Sequence, residues 1–458
     1  MGLVSRLGAF AVDLRFELVP EAVRAKLRRH LLDSLGVICA GLSARESRAV
    51  RKFVPARPGR GEAAIIGCAA RTLASDAAFV NTFHGRIHTF DDTFEAGPIH
   101  PGTCVVSAAL AAGEAAGAPG RRVLEAVLAG YEVSIRVCAA VGPGHYAAGF
   151  HPTGTCNAFG AAAAAARAFG LNAEQTTAAL ALAGEGAAGL RQHQADGSMA
   201  NSALNGARAA RLGVEAAQLA MAGLTGPHEI LEGRFGFFRM MAGSGDHRAI
   251  EHALGTQYRF AETSLKPYPT CRFTHGPIAA LRALARAHDI RAAEVESIEI
   301  ATFRQSIEVS DRPQIRTRSD AILSHQYALA LALTRERITL DDLGESARSR
   351  EDVRALCSRV RVVHDPQLDG QYPARWPHRL TVHCTGDRTL RTESAFPPGG
   401  PQDPLTDEAV AAKFDSLAVP VLGTKAAREV RVAVVALESA PDVKALVRLL
   451  APEVIEQP

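Results

Sequence analysis

The chain has 458 residues and a mass of 48.4 kDa, which is enough for two domains with a large buried core. Hydrophobic residues make up 47%, charged residues 22%, and the net charge is only +3, so the composition is that of a soluble globular protein without an indicated nucleic-acid or membrane partner. Aromatic residues are scarce at 5%, which argues against surfaces that stack bases or sugars.

The eight cysteines lie far apart and form no Cys-x-x-Cys pair. This spacing disfavours a structural zinc site and an iron–sulfur cluster, and it is typical of a protein kept in a reducing cytosol. The first residues, MGLVSRLGAFAVDLRF, lack the apolar core of a signal peptide, and no uninterrupted apolar stretch is long enough to span a membrane. We therefore predict a soluble, cytoplasmic protein.

The first predicted helix begins after Pro20, where apolar residues recur every four positions. Val23, Leu27, Leu31 and Leu35 would lie on one face of a helix that runs to Gly41. Further alanine-rich amphipathic segments follow; they are residues 105–116, 123–140, 158–169 and 173–183. Alanine favours helix and lets helices approach closely, so this part of the chain predicts an all-helical body.

One stretch within this body is crowded with groups that exchange protons near neutral pH. It reads HGRIHTFDDTFEAGPIHPG and contains His84, His88, Asp91, Asp92, Thr93 and His100. Such a cluster next to a loop favours a functional site. The alternatives are a helix cap or turn formed by the aspartates, and a metal site formed by the histidines, whose spacing matches no standard ligand set.

Two more polar loops interrupt the helices, at residues 149–154 and 196–201. His151 stands between glycines and a proline at a predicted helix start, where backbone N–H groups gather and can bind an anion. The alternative is a structural histidine whose hydrogen bonds are satisfied within the core.

The pattern changes near residue 266. Lys266 to Arg272 reads KPYPTCR, an extended, proline-stiffened connector, and alternating residues near 298–302, 360–362 and 380–384 predict strands. Gly386 and Asp387 predict a hairpin turn, and residues 277–288 and 322–334 are expected to form helices. We expect an all-helical domain from residues 1–266 and 404–458, a smaller α+β domain at 267–395, and a Pro/Gly linker at 396–403.

The polar loops and the connector are expected to converge on a crevice between these domains. Histidines there suit proton transfer at the carbon next to a carboxylate, and cations would stabilise the charge that develops on that carboxylate. The P-loop, G-x-S-x-G and H-E-x-x-H motifs are absent, so the sequence gives no support to P-loop nucleotide, serine-hydrolase or zincin chemistry.

A series of motifs along nearly the whole chain resembles the MmgE/PrpD family. They are FDDT followed by HPG, GYEVSIRV (130–137), GFHPTG (149–154), DGSM (196–199), GLTGP with ILEG (223–233), KPYPTCRFTH (266–275) and the tail at 397–423. Members include 2-methylcitrate dehydratases, cis-aconitate decarboxylases and iminodisuccinate epimerases. The resemblance implies a large all-helical domain built from both chain ends, a smaller α+β lid domain, a homodimer, and catalysis without metal or cofactor.

By this resemblance the catalytic residues are His100, His151 and Lys266. The substrate-binding candidates from the same motifs are Thr93, Asp92, Thr89, Asn201, Arg272 and His275. The chain also departs from the family pattern. Thr89 stands where decarboxylase-like members carry an aspartate, Asn201 where many have a lysine, and Leu204 where a histidine is frequent. The spacing from Thr93 to His100 is one residue longer than in the decarboxylase pattern.

Three functions remain open from the sequence. The first is a lyase that removes water or carbon dioxide from a small carboxylic acid. The second is an epimerase or isomerase of a small carboxylate, which needs proton-transfer groups on opposite faces of the substrate. The third is a catalytically altered family member that only binds a ligand, because a fold can outlive its original function.

Overall fold

The computed structural model describes residues 2–55 and 61–451, and the chain divides into two compact units. The first unit joins both chain ends, Met1–Thr263 and Thr406–Pro458, and the second is Ser264–Leu405. Helices dominate the described residues, so the predicted mostly helical fold is confirmed. Within the described residues, no helix is both long and apolar enough to cross a membrane.

The first unit is helical apart from two-residue strands. Its α-helices are Leu3–Asp13, Glu21–Gly41, Arg45–Phe53, Ala74–Arg86, Gly102–Ala116, Gly120–Ala147, Pro152–Phe169, Ala173–Glu185, Gln192–Ala195, Met199–Met221, Phe237–Ala242, His247–Glu251, Asp407–Ala436 and Lys444–Leu450. Helix Glu21–Gly41 begins directly after Pro20 and buries Val23, Leu27 and Leu31 on one face, as the four-residue spacing predicts. The alanine-rich helices carry the centre of the core.

Two central helices, Gly120–Ala147 and Pro152–Phe169, cross where both lack a side chain. A Cβ atom on Gly160 would lie 2.6 Å from the carbonyl oxygen of Gly130 and would overlap the hydroxyl of Ser134. A Cβ on Gly130 would lie 2.8 Å from the carbonyl oxygen of Gly160. The small residues of these helices therefore serve a close backbone approach, which larger side chains would prevent.

Replacing Gly160 by alanine is expected to destabilise the first unit by about 1–3 kcal/mol, because overpacking outweighs the roughly 1 kcal/mol that alanine gains in a helix. The matched control is Gly144→Ala, where the nearest atom to a new Cβ is 3.8 Å away. Urea denaturation followed by circular dichroism should show a lower midpoint for Gly160→Ala only. Equal midpoints for the two variants would contradict the close crossing.

The second unit contains a four-stranded sheet with helices around it. The strands are Val295–Thr302, Val360–His364, His378–Cys384 and Arg388–Ser394, and the α-helices are His275–Ala287, Arg304–Ser310, Arg318–Leu323, His325–Thr334, Glu345–Arg348, Glu351–Cys357 and Pro366–Asp369. Val295–Thr302 pairs parallel with Val360–His364 and antiparallel with His378–Cys384, which continues into Arg388–Ser394. The turn between the last two strands has φ of 75° at Gly386 and 55° at Asp387, so the predicted hairpin is confirmed.

Some segments differ from the sequence prediction. Residues 322–334 form two helices instead of one, because the hydroxyl of Ser324 accepts a hydrogen bond from the backbone N–H of Tyr327 and caps the second helix. The polar segment 196–201 is only partly a loop, since helix Met199–Met221 begins within it. Residues 396–403 lie in the second unit, where the backbone N–H of Leu265 donates to the carbonyl oxygen of Gly399 at 2.9 Å.

Candidate active site

The stretch from His84 to Gly102 is held by the buried carboxylate of Asp92. One oxygen accepts the backbone N–H of Gly102 at 2.9 Å, in the first turn of the helix that starts there. The other oxygen accepts the hydroxyl of Tyr131 at 2.6 Å and lies 3.1 Å from Nδ1 of His30. Asp92 therefore ties its loop to two neighbouring helices and to the start of a third.

The partners of Asp92 are themselves fully buried. Burial lowers the pKa of His30 to about 4, although Asp92 beside the ring acts in the opposite direction. Burial and the neighbouring Asp92 raise the pKa of the Tyr131 phenol well above its ordinary value. Nε2 of His30 lies 3.3 Å from the hydroxyl of Thr263. These side chains form a desolvated polar network centred on the carboxylate of Asp92.

A second buried anchor lies beside the same loop. The ammonium of Lys413 is 2.6 Å from a carboxylate oxygen of Asp33, and it donates to the carbonyl oxygen of Phe90 at 3.0 Å. Burial raises the pKa of Asp33 to about 6 despite the lysine. Through Lys413, helix Asp407–Ala436 also helps to hold the loop in place.

One nitrogen of the His100 imidazole is hydrogen-bonded within the loop itself. Nδ1 is 2.7 Å from the backbone carbonyl oxygen of Asp92 and 3.0 Å from the hydroxyl of Thr93. Because a carbonyl oxygen can only accept, Nδ1 carries the hydrogen in both the neutral and the charged ring. Nε2 is therefore the atom of this ring that can take up and release a proton.

Helix Pro152–Phe169 fixes the backbone of His100. The backbone N–H of His100 donates to the hydroxyl of Thr153 at 3.2 Å, and the carbonyl oxygen of His100 accepts a hydrogen bond from the side-chain amide of Asn157 at 2.9 Å. Thr153 and Asn157 are four residues apart and so lie on one face of the helix. The position of the His100 loop is set by this face as well as by Asp92.

His151 stands at the beginning of the same helix and is buried. Burial lowers its pKa well below the ordinary value, and the nearby His193, Arg86, His100 and Arg191 lower it further, so the ring is neutral at neutral pH. Its ring meets that of His193 edge to face, with centroids 4.8 Å apart. His151 and His193 thus lie side by side, and His100 is close enough to act on His151 electrostatically.

The cations around His151 are held by other groups of the first unit. Arg86 forms a buried ion pair with Asp91 at 2.5 Å and donates to the hydroxyl of Ser202 at 3.1 Å. Arg191 stacks on the ring of Tyr146, with the guanidinium carbon 3.4 Å from the centroid. Asp91 compensates the charge of Arg86, whereas the guanidinium of Arg191 adds positive charge near the histidines, which favours an anionic ligand there.

The remaining predicted residues of the first unit have different surroundings. Thr89 has φ of 56°, a left-handed conformation that is strained for a β-branched residue and that aspartate or asparagine adopts more easily. Asn201 is exposed and its amide donates to the hydroxyl of Ser198 at 2.9 Å. Leu204 packs against an apolar cluster that includes Phe79. Direct contact of Thr89 and Asn201 with a substrate stays a prediction.

Lys266, Arg272 and His275 belong to the second unit and are buried. Arg272 donates to the carbonyl oxygens of Pro398 at 2.5 Å and Pro397 at 3.1 Å, and the same guanidinium lies 3.3 Å from Nδ1 of His275. Nε2 of His275 donates to the carbonyl oxygen of Thr270 at 3.2 Å. Arg272 and His275 thus hold the second unit's own loops, and a role of either in substrate binding stays a prediction.

His84 and His88 do not form a ligand set with His100. Nε2 of His84 lies 3.2 Å from the guanidinium of Arg51, and Nε2 of His88 is 3.1 Å from the carbonyl oxygen of Ala40. Among residues 2–55 and 61–451, no three or more His, Cys, Asp or Glu side chains are arranged to bind a metal ion.

Several groups that position the site were not predicted from the sequence. They are His30 and Tyr131, which bind Asp92, Asn157, which binds the backbone of His100, and His193 and Asn205, which contact His151. Each lies far along the chain from the residue that it contacts. Tyr131 belongs to the GYEVSIRV motif, and Asn157 follows Thr153 by one helical turn, so these two left a signal in the sequence. His30, His193 and Asn205 left none.

Because several histidines are buried, we expect the folded chain to lose stability in mild acid. Burial lowers the pKa of His30 to about 4 and that of His84 to about 3, so below pH 6.5 the unfolded chain binds protons that the folded chain does not. For His30 the loss reaches roughly 3 kcal/mol by pH 4, at about 1.4 kcal/mol per pKa unit. Asp33 opposes this between pH 6 and 4, because its raised pKa makes the folded chain bind the extra proton.

Urea denaturation midpoints measured at pH 7.5, 6.5, 5.5 and 4.5 check this prediction. We expect a continuous decrease below pH 6.5, and a shallower one for the His84→Gln variant. A midpoint that stays constant or rises between pH 6.5 and 4.5 would show that the histidines are not buried in neutral form.

Comparisons with known proteins give one family for both parts of the chain. The profile of the MmgE/PrpD N-terminal domain matches residues 5–250, and that of the MmgE/PrpD C-terminal domain matches residues 268–439. The chain is 25% identical to a cis-aconitate decarboxylase-like protein, oryM, of Aspergillus oryzae over 98% of both chains. It is 25% identical to the cis-aconitate decarboxylase of Aspergillus terreus over 98% of this chain and 96% of the relative. It is 26% identical to that of Mus musculus over 95% of this chain and 91% of the relative.

Proposed function

The chain belongs to the MmgE/PrpD family, and on that premise we propose that it is a lyase acting on a small carboxylic acid without a cofactor. The observation that carries the proposal is the ring of His100. Its Nδ1 is committed to the carbonyl oxygen of Asp92, so its Nε2 can exchange a proton at a fixed position. The ring of His151 supplies a hydrogen-bond donor for a carboxylate, and the cations that act on this ring favour negative charge beside it.

We propose cis-aconitate as the first substrate to examine, because three relatives that align over nearly the whole chain are named as cis-aconitate decarboxylases or as similar to them. When the carboxylate on the CH₂ arm leaves as carbon dioxide, the bonding pair forms a new double bond to the central carbon. The electrons of the old double bond then move to the carbon next to another carboxylate, and that carbon must take one proton. His100 in its charged form can donate this proton from Nε2.

The same site also suits a dehydratase. The neutral His100 ring can then act as a base, since Nε2 carries a lone pair while Nδ1 remains bound to Asp92. The negative charge that develops on the substrate carboxylate would be stabilised by a hydrogen bond from the neutral His151 ring and by the nearby arginines. Decarboxylase and dehydratase therefore share one proposed proton-transfer group and differ in the group that leaves.

The test is turnover of defined acids by the purified full chain. We would incubate it with cis-aconitate, citrate and 2-methylcitrate, and follow carbon dioxide release, the absorbance of conjugated double bonds, and solvent exchange at the α-carbon. Carbon dioxide from cis-aconitate, or a new double bond from a hydroxy acid, supports the lyase. Exchange with inversion and without loss of carbon dioxide or water would instead support the epimerase, and no change in any acid would overturn both.

A further inference from the structure

The side-chain amide of Asn205 has its orientation fixed by a backbone carbonyl. Its nitrogen lies 3.1 Å from the carbonyl oxygen of Leu190 and 3.3 Å from Nδ1 of His151. A carbonyl oxygen accepts only, so the NH₂ end of the amide must face Leu190. One hydrogen of that NH₂ group binds the carbonyl, and the other points to the imidazole.

This geometry determines which nitrogen of the His151 ring is protonated. Because Asn205 donates to Nδ1, Nδ1 must be the acceptor, and the hydrogen of the neutral ring lies on Nε2. His100 has the opposite arrangement, with the hydrogen on Nδ1 and the exchangeable position at Nε2. The two neutral rings therefore differ at Nε2. Nε2 of His100 can accept a proton, whereas Nε2 of His151 carries a hydrogen and can donate a hydrogen bond.

The backbone around His151 keeps the ring in place for this contact. The N–H of His151 donates to the carbonyl oxygen of Gly189 at 3.0 Å, and the N–H of Arg191 donates to that of Gly149 at 2.9 Å. The carbonyl oxygen of Leu190 lies between these bonds and also accepts from Nδ1 of His193 at 2.9 Å. Residues 189–191 are thus hydrogen-bonded to residues 149 and 151 on both sides of Leu190. These bonds fix the carbonyl oxygen of Leu190, which in turn orients the amide of Asn205.

We propose that Asn205 is a positioning residue that holds His151 in the Nε2–H tautomer, so that the neutral ring donates a hydrogen bond to the carboxylate of the substrate. This inference rests on the proposed function and deepens it by assigning His151 as a neutral donor. A neutral donor strengthens as charge develops on the substrate oxygen and does not itself lose a proton. Arg86 and Arg191, together with the rings of His193 and His100, are the charged or titratable groups that act on His151.

The first experiment reads the tautomer directly and needs no substrate. Full-length protein with ¹⁵N-labelled histidine, in wild-type form and with His151→Gln for assignment, would be examined by long-range ¹H–¹⁵N correlation spectra. We expect the His151 signals of a neutral ring protonated at Nε2. In Asn205→Asp the carboxylate accepts only, so the hydrogen should move to Nδ1 and the titration midpoint of the ring should rise.

The second experiment measures kcat for cis-aconitate against pH in the same variants. Loss of one donor to a developing anion should lower kcat by about 10²-fold in Asn205→Asp, with a smaller loss in Asn205→Leu, where the ring is a mixture of tautomers. Asn172→Asp is the matched control, because Asn172 caps helix Ala173–Glu185 and aspartate caps equally well.

The outcomes separate this inference from the proposed function. An Nδ1–H ring in the wild-type protein, or an Asn205→Asp variant with unchanged tautomer and titration midpoint, overturns the inference whatever the turnover. The expected tautomers without turnover of any acid would support the positioning role of Asn205 and overturn the lyase. If Asn205→Asp does not fold, the wild-type spectrum and Asn205→Leu still decide the tautomer.

Discussion

Replacing His100 by glutamine is expected to lower kcat for cis-aconitate by about 10²–10⁴-fold, the share that a positioned proton-transfer group contributes. The glutamine amide can still donate to the carbonyl oxygen of Asp92, but it has no nitrogen that exchanges a proton near neutral pH. Steady-state kinetics with carbon dioxide as the measured product checks the prediction.

The variant should remain folded, since the contacts that hold this loop reach the backbone of residue 100. Thr153 accepts its N–H and Asn157 donates to its carbonyl oxygen, and neither bond depends on the imidazole. His288→Gln is the matched control, because His288 is an exposed histidine at the end of helix His275–Ala287. Equal kcat values for the two variants would exclude His100 as the proton-transfer group.

Replacing Asp92 by alanine is expected to destabilise the first unit by about 3–5 kcal/mol, as removal of one partner from a buried polar network does. The backbone N–H of Gly102, the hydroxyl of Tyr131 and Nδ1 of His30 would all lose their acceptor. The carbonyl oxygen that binds Nδ1 of His100 belongs to the same residue, so kcat should fall at least about 10²-fold as the ring loses its fixed position.

A control of equal burial separates lost stability from lost positioning. Glu125 accepts the backbone N–H of Phe16 at 3.1 Å and pairs with Arg167 at 2.6 Å, so its contacts hold other parts of the first unit. Glu125→Ala should lower the denaturation midpoint but leave kcat within a few-fold below that midpoint. If Asp92→Ala kept both its midpoint and its kcat, the anchoring of the loop by this carboxylate would be wrong.

The sequence predicted the fold where the information is local. Helix Glu21–Gly41 follows from four-residue apolar spacing, and the hairpin at Gly386 and Asp387 follows from residues that tolerate positive φ. The start of helix Met199–Met221 was not predicted, because Asp-Gly-Ser reads as a loop and the small residues after it show little periodicity. The break at Ser324 was also missed, since the capping bond to Tyr327 leaves the apolar pattern uninterrupted.

The candidate site shows the same limit. Asp92, Thr93 and His100 are neighbours in sequence, and the first two lie 2.7 and 3.0 Å from Nδ1 of His100. The contact between His30 and Asp92 spans 62 positions, and that between Asn205 and His151 spans 54. Such partners are set by how helices pack, which periodicity does not reveal.

Asp92 acts through both its side chain and its backbone. As an alternative to a functional site, the Asp-Asp pair was considered a helix cap or turn; the N-cap of helix Gly102–Ala116 is Pro101, and Asp92 accepts the backbone N–H of Gly102 from outside that helix. The same residue supplies the carbonyl oxygen that fixes the ring of His100. The side chain thus has a structural role, and the backbone carries the contact on which the proposed chemistry depends.

The proposal centres on proton delivery by His100, and turnover of cis-aconitate in D₂O tests it most directly. We predict that each product molecule carries one deuterium, on a single face of the carbon next to the remaining carboxylate, and that His100→Gln lowers the rate of this incorporation as much as it lowers carbon dioxide release. Product without deuterium, with deuterium on both faces equally, or formed at the wild-type rate by His100→Gln would contradict the account.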